Sequence, residues 1–508
     1  MKIKLIIIGI IITILISTNI SLVSGLDEKS FNSNFHQTSK TAPSKSLLQI
    51  SIDEEWNKSY GGALYDYGYS VQQTTDGGYI LTGSYDDAIN NDEIWLIKTD
   101  EYGNLLWDNI YGGSGFEEGK SVRQTNDGGY ILVGSTFSIG DAGDIWLIKT
   151  DSSGNTLWSK TFGGSQEDRA IDVEQTPDGG YIILGSTSSF GDNNWLIKTN
   201  DAGDIIWDKT FGANQEAFDM KLTSDGGYII TGKIPVSGYS RNIWLTRLDN
   251  YGNMVWEKNY GGVYYDSGFS VKQSDDYGFI VTGFIRTDEH NIDVYVLKTD
   301  ADGNIEWESI FGGNGLDAGW GVDQTYDGGY VVTGITESYG NGGDAWLIKT
   351  DAEGNKIWDK KLGGANYEHG FSVEQTMDAG FIITGFTGSY VNGGYDIWLV
   401  KTTDSISPNA SIEKPVYGQF YIGNQARFSL PWTVVIGGVM VEVAADDLET
   451  GIDRVEFYVD DILYDTKTVY PYQWYWDLSG FGRFDLKIIA YDYAGNRDEE
   501  SIEVLKFF

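Results

Sequence analysis

Asp66, Glu117, Asp168, Glu216, Asp266, Asp317 and Glu368 stand at one place in a repeating pattern, each just ahead of a short apolar run, with Glu118 beside Glu117. Carboxylates gathered around one mouth make a negative funnel that can hold a hard cation such as Ca2+ or accept hydrogen bonds from a hydroxyl-rich ligand. Two of them flanking one bond could serve as general acid and base. The alternative is that each acid accepts hydrogen bonds from its own Gly-rich loop and recurs only because the unit recurs. A second column is Glu93, Asp144, Asn193, Asn242, Asp293, Asp344 and Asp396, whose short acceptors suit the capping of free N–H groups at a strand entry. A third is Gln72, Arg123, Glu174, Lys221, Lys272, Asp323 and Glu374. Opposite charges there, Arg123 with Glu174 and Lys272 with Asp323, predict salt bridges between neighbouring units, with a polar ligand tunnel as the other reading.

Other chemistry has little to stand on. His36, His290 and His369 are the only histidines, with no Ser/His/Asp grouping and no paired metal-binding His. Asp300-Ala301-Asp302-Gly303-Asn304 looks like the start of a calcium loop. Its counterpart Asp151-Ser152-Ser153-Gly154-Asn155 reads as a plain hairpin turn, however. No catalytic residue is assigned, no cofactor is required, and Ca2+ remains the one candidate ion.

The elements that must position these residues repeat seven times at a period of about 51 residues, as in Gly119 to Gly164. Each unit holds four short strand patterns, for example Ser70 to Thr74, Tyr79 to Gly83, Ile94 to Thr99 and Leu105 to Trp107. Asp-Gly turns such as Asp76-Gly77-Gly78 join them, because Asp and Gly tolerate positive φ. The third-strand aromatics are Trp95, Trp146, Trp195, Trp244, Tyr295, Trp346 and Trp398. The fourth-strand tryptophans are Trp56, Trp107, Trp158, Trp207, Trp256, Trp307 and Trp358. The second column starts and ends one unit early, so the strand around Trp56 is expected to complete the last unit. That predicts an all-β fold, a seven-bladed β-propeller closed by its N-terminal strand. Both columns are expected to pack between sheets rather than offer sugar platforms.

The period stops at Thr403. Residues 404–409 read as a linker, and GGVMVEVAADD, DRVEFYVDDILYDT, YPYQWYWDL and RFDLKIIAYDYAGN read as strands of a β-sandwich. Met1 to Gly25 has the basic, apolar and polar order of a signal peptide, with an uncleaved anchor as the alternative. The expected domains are 1–25 signal peptide, 26–48 flexible spacer, 49–402 propeller and 403–508 linker and Ig-like sandwich. Asn57 and Asn409 head glycosylation sequons, a pattern of low specificity.

A net charge of −39 repels phosphate backbones and argues against nucleic acid as a partner. The 66 glycines against 7 prolines suit an all-β repeat. There are no cysteines, hence no disulfides and no thiolate metal site.

The repeat DGGYIxxGxT…DIWLIKTDxxGNxxWxxxxGG, over residues 50–402, resembles that of secreted archaeal and bacterial β-propellers related to the quinoprotein-like and WD40-like groups. IDRVEFYVDDILYDT and FDLKIIAYDYAGN resemble strands of a bacterial immunoglobulin-like domain. The resemblance implies an extracellular protein of adhesive or unknown role. TDxxGNxxW is similar to the tryptophan-docking repeat of pyrroloquinoline quinone enzymes, but those have eight blades and cofactor ligands with no counterpart here. The sialidase Asp-box needs Asp-x-Gly, whereas this chain has Asp-x-x-Gly.

The expected function is a monomeric secreted or cell-surface binding or adhesion protein. The loop-rich acidic face would contact a glycan or a surface protein, with no membrane span beyond the signal segment. The alternatives are a polysaccharide hydrolase or lyase using the funnel carboxylates, and a structural component of the cell surface.

Overall fold

The structure is a computed structural model, and it describes residues 52–508 except 87–91, 141, 213, 237–239, 289–290, 340–341, 392, 405 and 448–449. The expected signal peptide and spacer, along with His36 and His290, lie outside the described residues. Among the described residues there is no helix, and none that is long and apolar enough to cross a membrane.

Seven four-stranded antiparallel sheets follow one another along the chain. The first holds Tyr67–Gln73, Tyr79–Asp86, Asp92–Thr99 and Leu105–Tyr111, and the next five repeat that order. The seventh takes Glu368–Gln375, Phe381–Thr387 and Asp396–Thr403 from one end of the repeat. Its outer strand, Asp53–Tyr60, comes from the other end. Trp56 pairs with Lys401 and Ser59 with Trp398 in that register.

Burial explains the strand patterns. Third strands such as DIWLIKT of Asp144–Thr150 are buried throughout and so read as continuous apolar runs. Outer strands such as Leu105–Tyr111 alternate between exposed and half-buried. The turns are built by their side chains: Asp76 Oδ1 accepts from Thr74 Oγ1 and Gly78 N, and Gly77 sits at φ 86°. The apparent calcium loop is the second turn of its unit. Asp300 Oδ1 accepts from the backbone N–H of Asp302 and Asn304, as Asp151 does from Ser153 and Asn155.

One regular contact was not expected. The buried lysine closing each third strand reaches back to the first turn of its own sheet: Lys98 to Asp76 at 3.1 Å, Lys198 to Asp178 at 2.9 Å, Lys349 to Asp327 at 2.8 Å. In the fourth sheet Arg247 replaces the lysine and pairs with Asp225.

The two aromatic columns pack as anticipated. Trp244 and Trp398 are fully buried. Each fourth-strand tryptophan puts its ring edge-on or tilted to an aromatic of the following sheet, Trp107 to Tyr130 at 5.7 Å and Trp307 to Tyr330 at 5.7 Å. Trp56, on the outer strand of the seventh sheet, makes the same contact with Tyr79 of the first, at 5.8 Å.

Beyond residue 408 lies a sandwich. A three-stranded sheet (Asn409–Lys414, Val439–Asp446, Tyr472–Trp476) faces a seven-stranded one that includes Arg497–Phe507, Phe481–Asp492 and Ile452–Val459. Val441, Phe457, Trp476, Leu486 and Ile488 form its core. It touches the sixth sheet where Tyr493 meets the Tyr326 ring at 5.8 Å.

Candidate functional site

The acid column does not line an open mouth. Asp66, Glu117, Asp168, Asp266, Asp317 and Glu368 are all 0% exposed. Each accepts a hydrogen bond from a glycine N–H four residues back: Gly62 to Asp66 at 2.8 Å, Gly113 to Glu117 at 3.1 Å, Gly262 to Asp266 at 2.7 Å, Gly364 to Glu368 at 2.9 Å. Asp168 and Asp317 do the same with Gly164 and Gly313, and also accept from Ser189 and Ser338. These residues close Gly-rich loops, and their burial leaves them no surface to offer a ligand. Glu216 is a different case, exposed and paired with Lys233 at 2.8 Å. Its loop is two residues shorter, so Gln215 stands at the position of Asp168 and Glu216 at that of Arg169.

The second column lies against the first. A side chain at Gly61 would come within 2.4 Å of Asp396 Oδ1 and 2.5 Å of Asp66 Oδ2, so the two carboxylates press on that glycine from both sides. Gly312 is held in the same way by Asp293 and Asp317. Burial, reinforced by Asp66, pushes Asp396 up to about 6. Such a pair under a loop cannot flank a substrate bond.

The third column does converge. The first strands of the seven sheets surround a cavity of about 530 Å3. Its charged layer is knitted between sheets. Arg123 Nε donates to Glu174 at 3.1 Å, Lys221 bridges Asp172 at 2.9 Å and Asp219 at 2.6 Å, and Lys272 pairs with Asp323. Both pairs expected from the sequence are present. The links continue where charges are unmatched: Val271 N to Asp219, Gln124 N to Gln72, Gln375 N to Asp323, and Gln73 N of the first sheet to Glu374 of the seventh at 2.8 Å. Desolvation, with Asp323 adding to it, pushes Glu374 up to about 7. Burial and the facing Asp172 raise Asp219, while Lys221 and Arg123 hold Asp172 low.

A second hoop uses glutamines. Gln124, Gln175, Gln273, Gln324, Gln375 and Gln73 each accept from a turn N–H of the preceding sheet. The joint between the third and fourth sheets has Pro177, which has no N–H, and Leu222 where the glutamine would be. Donor and acceptor are missing together.

The feature that sequence reading missed lies one residue before the strand starts it anticipated. Every first strand carries a bulge, with register shifts at Gly68/Ser70, Gly119/Ser121, Ala170/Asp172, Ala217/Asp219, Gly268/Ser270, Gly319/Gly321 and Gly370/Ser372. A bulge re-aims the extra side chain. Here the extra residues, Tyr69, Lys120, Ile171, Phe218, Phe269, Trp320 and Phe371, all line the cavity. Five are aromatic and form an arc: Phe218 on Phe269 at 5.2 Å, Phe269 stacked on Trp320 at 3.9 Å and 7°, Trp320 edge-on to Phe371 at 5.6 Å, and Phe371 on Tyr69 at 5.4 Å. Lys120 Nζ sits 4.4 Å over the Tyr69 ring. The residue before each bulge must be small: a side chain at Gly119 would strike Thr82 Oγ1 at 2.5 Å.

His369 backs this arc, edge-on to Trp320 at 5.2 Å and stacked on Phe386. Burial lowers it to about 3, so it is neutral at physiological pH. Nε1 of Trp320 and Nδ1 of His369 are shielded from solvent with no hydrogen-bond partner among the described residues.

Lys221 is the linchpin of the charged layer. Lys221→Met leaves Asp219 without its cation and Asp172 with Arg123 alone, and is expected to cost about 3 kcal/mol. Urea unfolding at pH 7.5 checks this. The loss should shrink at pH 5, where Asp219 can take up a proton.

Residues 422–488 match the bacterial Ig domain family model. No curated protein matches the chain. Among solved structures, similarity is found to puromycin hydrolase (12% identity, 72% of this chain and 62% of that one, TM-score 0.43). It extends to Sqt1 of Chaetomium thermophilum (12%, 66% and 83%, TM-score 0.41). The extracellular domain of a two-component system from B. thetaiotaomicron is also similar (8%, 87% and 68%, TM-score 0.28). Likenesses this distant say nothing of activity.

Proposed function

We propose that this is a secreted or cell-surface binding protein. In this reading residues 49–402 form a closed seven-bladed propeller, and the bulge-borne aromatic arc binds a glycan. Residues 1–25 are a signal peptide, 26–48 a spacer, and 403–508 a linker and Ig-like sandwich that presents the propeller. Closure is supported by the links between the seventh and first sheets, Trp56 to Tyr79, Gln73 N to Glu374 and Met377 N to Gln73.

The observation that carries the binding reading is the arc itself. Five half-buried rings face a cavity over a layer of carboxylates, lysines and hydroxyls. Sugar rings present apolar C–H faces to aromatics and hydroxyls to such acceptors, and pockets with few, well-placed polar groups confer orientation. The hydrolase reading is disfavoured, because six of its seven loop carboxylates are buried, Glu216 is paired with Lys233, and those in the cavity are tied between sheets. An excess of acid disfavours nucleic acid.

The test is calorimetric titration against a panel of neutral and acidic oligosaccharides. At least one should bind, and Trp320→Ala should weaken it at least tenfold. No binding across the panel, or an unchanged affinity in the variant, contradicts the proposal.

A further inference from the structure

The joint between the repeat and the sandwich holds three carboxylates from three separate stretches of chain. Asp404 belongs to the linker after Asp396–Thr403, Asp447 to the loop after Val439–Asp446, and Asp492 ends Phe481–Asp492. One carboxylate oxygen from each lies within 4.8 Å of the others. Asp404 and Asp492 are buried.

Several buried acids elsewhere in this protein meet a base. Asp172 has Arg123 and Lys221, and Asp323 has Lys272. Here, among the described residues, no lysine or arginine pairs with Asp404 or Asp492, and the charges felt by both are acidic.

Hydrogen bonding leaves a gap in the same place. Asp404 Oδ1 accepts from Ile406 N at 2.9 Å and its Oδ2 from Thr450 Oγ1 at 2.8 Å. Asp447 Oδ1 accepts from Thr450 N and Gly451 N. Asp492 Oδ1 accepts from Asn496 N at 2.7 Å. The other oxygen of Asp492, on a residue only 2% exposed, is shielded and has no hydrogen-bond partner among the described residues. A buried carboxylate oxygen without a donor is costly unless something positive meets it.

We propose that Asp404, Asp447 and Asp492 bind one Ca2+ ion, which fastens the repeat to the sandwich. The donor set is oxygen only, as a hard cation requires, with neither His nor Cys to favour a transition metal. A spread of 4.8 Å equals twice a Ca–O distance of about 2.4 Å, so one ion can touch all three. The Asn496 side chain already donates to the Asp404 carbonyl at 3.1 Å, which holds the linker against the sandwich turn.

The experiment is terbium luminescence on the full chain stripped with chelator, followed by displacement with Ca2+ or Mg2+, in the unmodified protein and in Asp492→Asn and Asp404→Asn. Asp453→Asn, at a half-buried acid paired with Arg454, is the control. One tight site that prefers Ca2+, weakened at least tenfold in both variants and unchanged in the control, is the expected result. Limited proteolysis of the unmodified protein needs no variant: cleavage within residues 403–409 should slow at least fivefold when Ca2+ replaces chelator. Weak binding that is equal in all four proteins, or cleavage indifferent to Ca2+, overturns the proposal.

Discussion

A chain beginning at Gly61 will fail to fold cooperatively. Removing Asp53–Tyr60 strips the seventh sheet of its outer strand and exposes the N–H and C=O groups of Asp396–Thr403 as an open edge. It also removes Ile52, which is 1% exposed, along with Trp56 and Tyr60. At about 1.5–3 kcal/mol for each large apolar side chain, the loss is roughly 6 kcal/mol. That is comparable with the whole stability of a typical protein, about 5–15 kcal/mol. Tyr60 also donates its hydroxyl hydrogen to Gly103 O in the first sheet, so the joint between the two ends of the repeat weakens as well. Differential scanning calorimetry and light scattering on the truncated chain should show a lost or strongly lowered transition with aggregation. Adding a peptide of residues 50–62 should restore it in part. A truncated chain that melts like the intact one would remove the case for closure.

The second large effect is with pH, and its sign is opposite to that of most proteins rich in paired acids. Several buried carboxylates have folded values above their unfolded ones. Glu374 is pushed to about 7 and Asp396 to about 6, and Asp66, Asp266, Asp293 and Asp344 are raised, all chiefly by desolvation. Between the unfolded and folded values the native state binds more protons, so stability falls as pH rises through that window. One unit corresponds to 1.36 kcal/mol, so Glu374 and Asp396 together account for about 5 kcal/mol between pH 4.5 and 7.5. The net charge of −39 adds self-repulsion of the same sign. Below about pH 4 the trend reverses. Asp76, Asp127, Asp178, Asp225, Asp276 and Asp378 are held low by turn hydrogen bonds and their lysine or arginine partners. What they contribute is present above the unfolded value and lost as each is protonated. Melting temperature in chelator should therefore peak near pH 5 and drop by several degrees at pH 8. A continuous rise from pH 5 to 8 would show that these carboxylates are not buried as described.

The repeat was legible because scaffold positions recur in type: Asp-Gly turns, third-strand aromatics, fourth-strand tryptophans. The offset of the Trp56 column by one unit pointed to the strand exchange at the seventh sheet. Charge alternation along Arg123–Glu174 and Lys272–Asp323 was legible for the same reason, since the repeat places them side by side.

The bulge residues were not legible. Tyr69, Lys120, Ile171, Phe218, Phe269, Trp320 and Phe371 share a place but no chemistry, and a bulge breaks the two-residue alternation that marks a strand. They therefore fell in the loops. The small residue before each of them and the glycine opposite, as Gly68 and Gly83, were the available signal. A Cβ at Gly83 would lie 1.8 Å from Tyr67 O, which only a bulge with glycine opposite allows. The lysine–aspartate contacts escaped because about 22 residues separate partners such as Lys98 and Asp76. The acid column misled because type and spacing do not report depth, and Glu216 entered it through a loop two residues short.

The most direct test of a binding arc compares two tryptophans in one titration. Trp320 lines the cavity, while Trp432 is 41% exposed on the sandwich. With an oligosaccharide that the intact protein binds, Trp320→Ala should lose at least tenfold in affinity while Trp432→Ala keeps it. The reverse pattern, or equal affinity in both, would place binding away from the arc and contradict the account.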